Sequence, residues 1–171
     1  MLDLLYSRRS IRKYTSQSIE PEKIEKIIEA ALLSPTSRNR EAWEFVVVTD
    51  KVALKALSVS KPGTAIMLTG APLAIVVCGN PLDSDAWIED CSIAAIIIQL
   101  AVHDLGLGSC WIQMRGRSFD GQVSSSEYIK KTLELPDHLE IECIISIGYP
   151  AEIKRKRDKS LLSYNKVFRK A

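Results

Sequence analysis

The chain has little histidine and little cysteine, with two of the first and four of the second among 171 residues. The cysteines are widely spaced without a CxxC pair, which argues against a zinc site and against a disulfide framework. With His103 and His138 as the only imidazoles, a Ser/His/Asp triad is not expected either. The sequence therefore predicts no metal site and no catalytic side chain, so demanding chemistry would need a cofactor.

Glycine-rich nucleotide loops are missing as well, since neither GxGxxG nor GxxxxGK[ST] occurs. The apolar run from Ile93 to Ile98 is too short to span a bilayer, and no signal-peptide segment precedes the first arginines. Lys and Arg number 23 against 21 Asp and Glu, a balance that argues against nucleic acid as the main partner. We expect one cytoplasmic domain over residues 1–171, with neither a membrane nor a nucleic-acid partner.

Positive charge is nevertheless concentrated in two stretches, residues 8–13 and 154–159. The first stretch sets three guanidinium groups around one hydroxyl in the order Arg8-Arg9-Ser10-Ile11-Arg12. Guanidinium groups fork hydrogen bonds onto phosphate, so this cluster predicts an anion site if the fold brings the two stretches together. Two solvated basic segments are the alternative.

Helical and strand patterns alternate along the chain and imply an α/β or α+β sandwich whose sheet is covered by helices. Helices are predicted from Pro21 to about Leu33, from about Asp85 to Leu105 and from Ser124, which has capping-box spacing to Glu127. Strands are predicted at four β-rich runs: Phe45–Val48, Leu73–Cys78, Ser109–Ile112 and Ile141–Ile147. The helix from Asp85 is apolar almost all round, so we expect it in the core or in a subunit interface.

Four motifs in sequence order resemble the signatures of the nitroreductase family. They are Arg8-Arg9-Ser10-Ile11-Arg12, Ser34-Pro35-Thr36-Ser37-Arg38-Asn39 with Trp43, Gly106-Leu107-Gly108-Ser109-Cys110-Trp111-Ile112, and Gly148-Tyr149-Pro150-Ala151-Glu152. The resemblance implies an α+β fold with a central, mostly antiparallel sheet between layers of helices, a three-layer sandwich that carries a C-terminal tail extension. It also implies a homodimer with FMN in the subunit interface.

The same resemblance assigns candidate flavin contacts to the first motif. Arg8, Arg9 and Ser10 would hold the FMN phosphate and ribityl chain, and Arg12 would reach the pyrimidine edge of the ring. A cation there would stabilise the negative charge that develops when a hydride reaches the flavin.

Three further parts of the chain complete the implied site. The partner subunit would lay a loop against the flavin, with contacts from Pro35, Thr36, Ser37 and Asn39. A backbone N–H near Trp111 and Ile112 would donate to the ring. Lys166 would be the last phosphate-binding cation, with Arg155, Arg157 and Lys159 as competitors.

The implied activity is an NAD(P)H-dependent oxidoreductase that reduces FMN and then a planar acceptor, such as a nitroaromatic or a quinone, by a ping-pong mechanism. A flavin-binding protein for storage or sensing would use the same arginines. Specialised family chemistry, such as reductive dehalogenation or flavin breakdown, and a basic adaptor for acidic partners also remain open.

Overall fold

The computed structural model describes residues 1–170, which form a four-stranded sheet with helices on both faces. The helices are α1 (Leu2–Ser7), α2 (Pro21–Leu32), α3 (Lys51–Leu57), α4 (Trp87–Asp104) and α5 (Ser125–Leu133). The strands are β1 (Trp43–Val48), β2 (Leu73–Gly79), β3 (Gly108–Gln113) and β4 (Glu140–Gly148). Short 3-10 turns occur at Ser37–Asn39, Ile66–Gly70, Lys159–Leu161 and Tyr164–Lys166.

The sheet has the strand order β1-β2-β4-β3, and each neighbouring pair is antiparallel. The central strands β2 and β4 are buried along nearly their whole length, which explains their continuous apolar sequences. Because β3 is the last strand in this order, it forms one edge of the sheet among the described residues. This edge carries the candidate site.

Side chains of β2 alternate between two separate cores, as the pleat of a strand requires. Leu73, Ile75 and Val77 pack with α2 and α4 on one face. Ala74 and Val76 pack with α3 and α5 on the other face. The predicted α+β fold with a helix-covered antiparallel sheet in three layers is confirmed.

The predicted elements are present with small shifts at their ends. Helix α4 begins at Trp87 rather than Asp85, and α5 begins with the predicted capping box between Ser124 and Glu127. The short helices α1 and α3 carry little periodic signal in six or seven residues, although Asp50 is a typical N-cap residue and does cap α3 by accepting the Ala53 N–H. Most of the apolar segment of α4 is buried, but Ile93 and Ile96 are more than one-third exposed.

Beyond β4 the chain continues as an extended tail with few buried residues. Its backbone returns to the N-terminal segment, where the Ala151 N–H donates to the Lys13 carbonyl and the Arg157 N–H to the Tyr6 carbonyl, each at 2.9 Å. The tail thus runs beside the first arginines. Across the described residues 1–170, no helix combines the length and the apolar character that crossing a bilayer needs.

Candidate functional site

The arginine segment lies extended along the free edge of β3. Ser10 forms a parallel β-bridge with Ser109, and the Ile11 N–H donates to the Ser109 carbonyl at 2.9 Å. Gly108 makes this approach possible, because a Cβ there would lie only 2.8 Å from Ile11 side-chain carbons. In an extended segment the side chains of Arg8 and Arg9 point in different directions, so they can contact a ligand from two sides.

The structure brings the two basic stretches together. The Arg9 guanidinium donates a hydrogen bond to the Arg155 carbonyl, and the tail pairs with Tyr6 as described above. Seven residues line a cleft of about 340 Å³ between the two stretches: Arg9, Arg155, Lys156, Arg157, Asp158, Leu161 and Leu162. The Asp158 carboxylate accepts hydrogen bonds from the backbone and hydroxyl of Ser160, so it is already engaged with its own turn.

The charge in this region is predominantly positive, since four cations and one carboxylate line the cleft. Burial lowers the pKa of Arg8, and the nearby charges of Arg157 and Arg9 lower it further. Within residues 1–170 none of these three arginines forms an ion pair. Three guanidinium groups that repel one another are stabilised by a shared anion, and a phosphate has the geometry for it.

His103, near the end of α4, adjoins the same region. Its Nε2 lies 2.7 Å from the Ser7 hydroxyl oxygen. Burial lowers the pKa of His103, with further lowering by the charges of Arg8 and Lys156 and an opposing effect of Asp104. Nothing in the local sequence around His103 indicates the arginines that the fold brings near it.

Alternate residues of β3 turn their backbone groups away from the sheet. The Ser109 carbonyl accepts the Ile11 N–H on the outer side, whereas the Met114 N–H donates to the Glu142 carbonyl on the inner side. Because groups alternate along an antiparallel strand, the amides of Trp111 and Gln113 point outward with that of Ser109. The Ile112 amide points toward β4 and its side chain is buried in the core. A ligand beside β3 therefore meets the donors of Trp111 and Gln113.

The loop that follows α2 has a strained backbone. Arg38, Asn39 and Glu41 all have positive φ angles, of 54°, 53° and 49°. Such conformations are costly for residues with side chains and persist only where surrounding contacts hold them. Thr36 supplies one contact, because its hydroxyl accepts the Glu41 N–H at 3.1 Å.

Asp90 on α4 supplies the second contact to this loop. It is 3% exposed, and its Oδ1 accepts the Ser37 N–H at 2.8 Å. Within residues 1–170, its Oδ2 has no hydrogen-bond partner, and neither has the buried Trp43 indole N–H. No sequence signal singled out Asp90, because an acidic residue in the first turn of a helix is common.

The predicted site residues form two groups within one chain. The arginines, Ser10 and Trp111 lie along β3, whereas the loop with Pro35, Thr36, Ser37 and Asn39 precedes β1 at the opposite edge and opposite end of the sheet. Three strand spacings of roughly 4.8 Å separate the two edges. Thirteen helical residues, about 20 Å, separate Asp90 from His103 along α4.

Lys166 lies in the turn Tyr164–Lys166 and is not among the residues that line the basic cleft. Its competitors Arg155 and Arg157 line the cleft directly. The role of Lys166 stays a prediction, as does that of Ile112.

The fold and cleft define a three-layer α+β protein with a basic cleft of about 340 Å³ at the edge of its sheet. The family model for the nitroreductase family matches this chain over residues 5–61 and 53–149. The chain belongs to the nitroreductase family.

Similar proteins include a solved structure, the FMN-dependent nitroreductase of Clostridium difficile R20291. It is 48% identical with a TM-score of 0.98, and the match covers 100% of this chain and 99% of that one. A candidate NADH dehydrogenase/NAD(P)H nitroreductase of Archaeoglobus fulgidus is 38% identical over 157 residues, covering 90% of this chain and 87% of the relative. The structure of a candidate NADH oxidase of Clostridium acetobutylicum is 30% identical with a TM-score of 0.87, covering 97% and 98%.

Proposed function

We propose that this protein is an NAD(P)H-dependent FMN oxidoreductase that reduces a planar acceptor of the nitroaromatic or quinone type. The observation that carries the proposal is that Arg9 and Arg157 line one cleft with Arg8 close to both, and none of the three forms an ion pair within residues 1–170. The relatives support it, since their names include an FMN-dependent nitroreductase and a candidate NAD(P)H nitroreductase.

The residues present fit FMN. The cleft offers cations for the phosphate, Ser10 adds a hydroxyl, and the outward amides of Trp111 and Gln113 offer donors to the polar edge of a ring. When bound, FMN supplies the capacity to take a hydride from NAD(P)H and to pass it to an acceptor. The chain itself supplies binding, orientation and charge.

Arg12 has the electrostatic role in this proposal. Its backbone N–H is bound by the Glu152 carboxylate at 2.6 Å, while its side chain is exposed and available to a ligand. A guanidinium beside the pyrimidine edge stabilises negative charge that develops there during hydride transfer. No side-chain nucleophile is required, and protons can come from water.

We expect ping-pong kinetics, because nucleotide and acceptor would occupy one site in turn. Steady-state rates at several fixed acceptor concentrations should give parallel double-reciprocal lines. Intersecting lines would indicate that both substrates bind together and would contradict this part of the proposal.

We also propose that the active unit is a homodimer in which each loop at residues 35–39 contacts the flavin of the partner. Within one chain that loop and the arginines lie at opposite corners of the sheet, so the loop can serve a flavin only across an interface. The exposed Ile93 and Ile96 on α4 and Leu2 and Leu5 on α1 provide apolar surface for it.

The direct test begins with the visible spectrum of the purified protein and identification of any released chromophore. Reduction with NADH and with NADPH under nitrogen follows, and a quinone is then added. Bound FMN that is bleached by a nucleotide and reoxidised by the quinone is the expected result. FMN that resists both nucleotides would favour storage or sensing, and a protein that takes up no FMN would overturn the proposal.

Sedimentation of the flavin-loaded protein tests the dimer. A monomer that retains flavin would contradict the shared site, and Ile93→Glu with Ile96→Glu should shift the equilibrium toward monomer. One FMN-binding domain over residues 1–171 and a cytoplasmic location remain predictions.

A further inference from the structure

We infer that Gln113 and the buried Glu142 are positioning residues that hold the Trp111 indole at a fixed angle beside the site. This inference rests on the proposed function only in placing Trp111 near the flavin. The structural part of it concerns a continuous hydrogen-bonded chain from Arg115 through Glu142 and Gln113 to Trp111.

The chain of hydrogen bonds is set by its donors and acceptors. The Trp111 indole N–H donates to the Gln113 Oε1 at 2.9 Å. The Gln113 Nε2 donates to the Glu142 Oε1 at 3.2 Å, and to the backbone carbonyls of Glu142 and Arg115 at 3.3 Å. An amide nitrogen only donates and an indole N–H only donates, so this arrangement leaves one orientation of the Gln113 amide.

Glu142 connects Gln113 to Arg115 in this chain of hydrogen bonds. It is 3% exposed, and its Oε2 accepts from the Arg115 Nε at 2.6 Å. Burial raises the pKa of the Cys143 and Cys91 thiols, and the negative charge of Glu142 raises both further. A carboxylate among thiols and isoleucines is an expensive residue to bury.

That cost needs a function, since the rest of β4 shows what would otherwise fill the position. Ile141, Ile144 and Ile145 are fully buried apolar residues of the same strand. Only Glu142 of the pair is buried, since the Arg115 side chain is about half exposed. An apolar residue at position 142 would avoid the cost of burying the carboxylate, so the presence of Glu142 points to a specific arrangement that it maintains. Here that arrangement is the orientation of Gln113 and, through it, of Trp111.

The hydrogen-bonded chain lies at the β3 edge of the sheet, which carries the candidate site. Trp111 and Gln113 are two residues apart on β3, so their side chains lie on one face and their amides both point outward from the edge. Fixing the two side chains also limits rotation of the backbone that presents these donors. The expected effect is therefore on how nucleotide or acceptor lies against the ring, rather than on phosphate binding at the arginine cleft.

The test uses the full chain with ¹⁵N-labelled tryptophan. The three indole N–H resonances are distinguished by comparison with Trp111→Phe, and exchange with solvent is measured for each. In Gln113→Leu, exchange at Trp111 should accelerate about fivefold, because the indole N–H loses a hydrogen bond whose net contribution is about 1 kcal/mol. The Trp43 and Trp87 resonances should stay unchanged.

A second test variant and a matched control complete the experiment. Arg115→Met lies at the half-exposed end of the chain and should shift the Trp111 signal in the same direction by less. Glu140→Gln removes a carboxylate of the same strand that bonds Lys130 instead, and it should leave Trp111 unaffected. Unchanged Trp111 exchange in both Gln113→Leu and Arg115→Met would overturn the inference.

Turnover with FMN and NAD(P)H supplies the functional arm. Gln113→Leu should lower kcat severalfold with little change in FMN affinity, and it should have no further effect in a Trp111→Phe background. An equal loss in both backgrounds would contradict action through Trp111. The exchange measurement needs no flavin, so its result can be interpreted even if the oxidoreductase proposal fails.

Discussion

The two ends of strand β3 are built in different ways. At the Ser109 end, the arginine segment is held by backbone hydrogen bonds and by the close approach at Gly108, and its guanidinium groups form no ion pair within residues 1–170. At the Gln113 end, the side chains themselves are bonded to one another and to a buried carboxylate. One end leaves its charge for a ligand, and the other satisfies its polar groups internally.

This difference separates affinity from orientation. Unpaired guanidinium groups gain most from an anion and should govern how tightly FMN binds. A satisfied hydrogen-bond chain gains little from a ligand but restricts the geometry in which a ligand lies. Changes at the two ends should therefore affect different measured quantities.

The largest effect is expected from removing charge at the Ser109 end. Arg8→Ala combined with Arg157→Ala should weaken FMN binding about 100-fold, since bonds to charged groups contribute about 1.5 kcal/mol each and tenfold corresponds to about 1.4 kcal/mol. Titration followed by flavin fluorescence measures this. Riboflavin, which has no phosphate, should bind both proteins alike. A greater loss from Lys166→Ala than from Arg157→Ala would restore Lys166 as the main phosphate contact.

The next largest effect is expected from Asp90, which accepts the Ser37 N–H in the loop after α2. Asp90→Ala leaves the Ser37 N–H without its acceptor and should lower the free energy of unfolding by about 1–3 kcal/mol. Asp90→Asn keeps an oxygen acceptor and should cost less, because Oδ2 has no partner to lose. Urea denaturation compares the two variants. Equal stabilities would show that the hydrogen bond to the loop contributes nothing.

A smaller effect is expected from the glycine that lets the arginine segment approach. In Gly108→Ala the new Cβ meets Ile11 at 2.8 Å, so the segment must shift and FMN affinity should fall about tenfold. Gly106→Ala is the matched control, because its φ of +77° makes alanine strained while its surroundings are open. It should lower stability and leave affinity unchanged, and similar losses of affinity in both variants would contradict this reading.

The smallest effect concerns the protonation of His103. Because its pKa is lowered in the folded state, folding favours the neutral ring, and this stability is lost as pH falls from the ordinary value of 6.5 toward the folded value. His103→Gln should flatten the dependence of Tm on pH in that range. Inorganic phosphate near Arg8 and Lys156 should raise the pKa of His103, as followed by NMR with His138 as internal reference. No response to phosphate would place the anion elsewhere.

The fold was largely predictable from local patterns. Continuous β-rich runs located all four strands, and the Ser124–Glu127 capping box located the start of α5. The positive φ angles at Arg38 and Glu41 could not be predicted, because these residue types do not favour that conformation, whereas asparagine at position 39 tolerates it. Contacts with Thr36 and Asp90 hold the loop. Glu142 was missed for a related reason, since a single acid in an apolar strand does not reveal its partners.

The sequence by itself determined the layered α+β fold, the basic character of residues 8–13 and 154–159, and the resemblance to the nitroreductase family, because periodicity, charge and motif order are local properties. Only the tertiary structure decided that the two basic stretches share one cleft, that Arg157 rather than Lys166 lines it, and that the loop lies at the opposite corner of the sheet. These facts depend on strand order and on contacts between residues far apart in the chain, which no local pattern encodes.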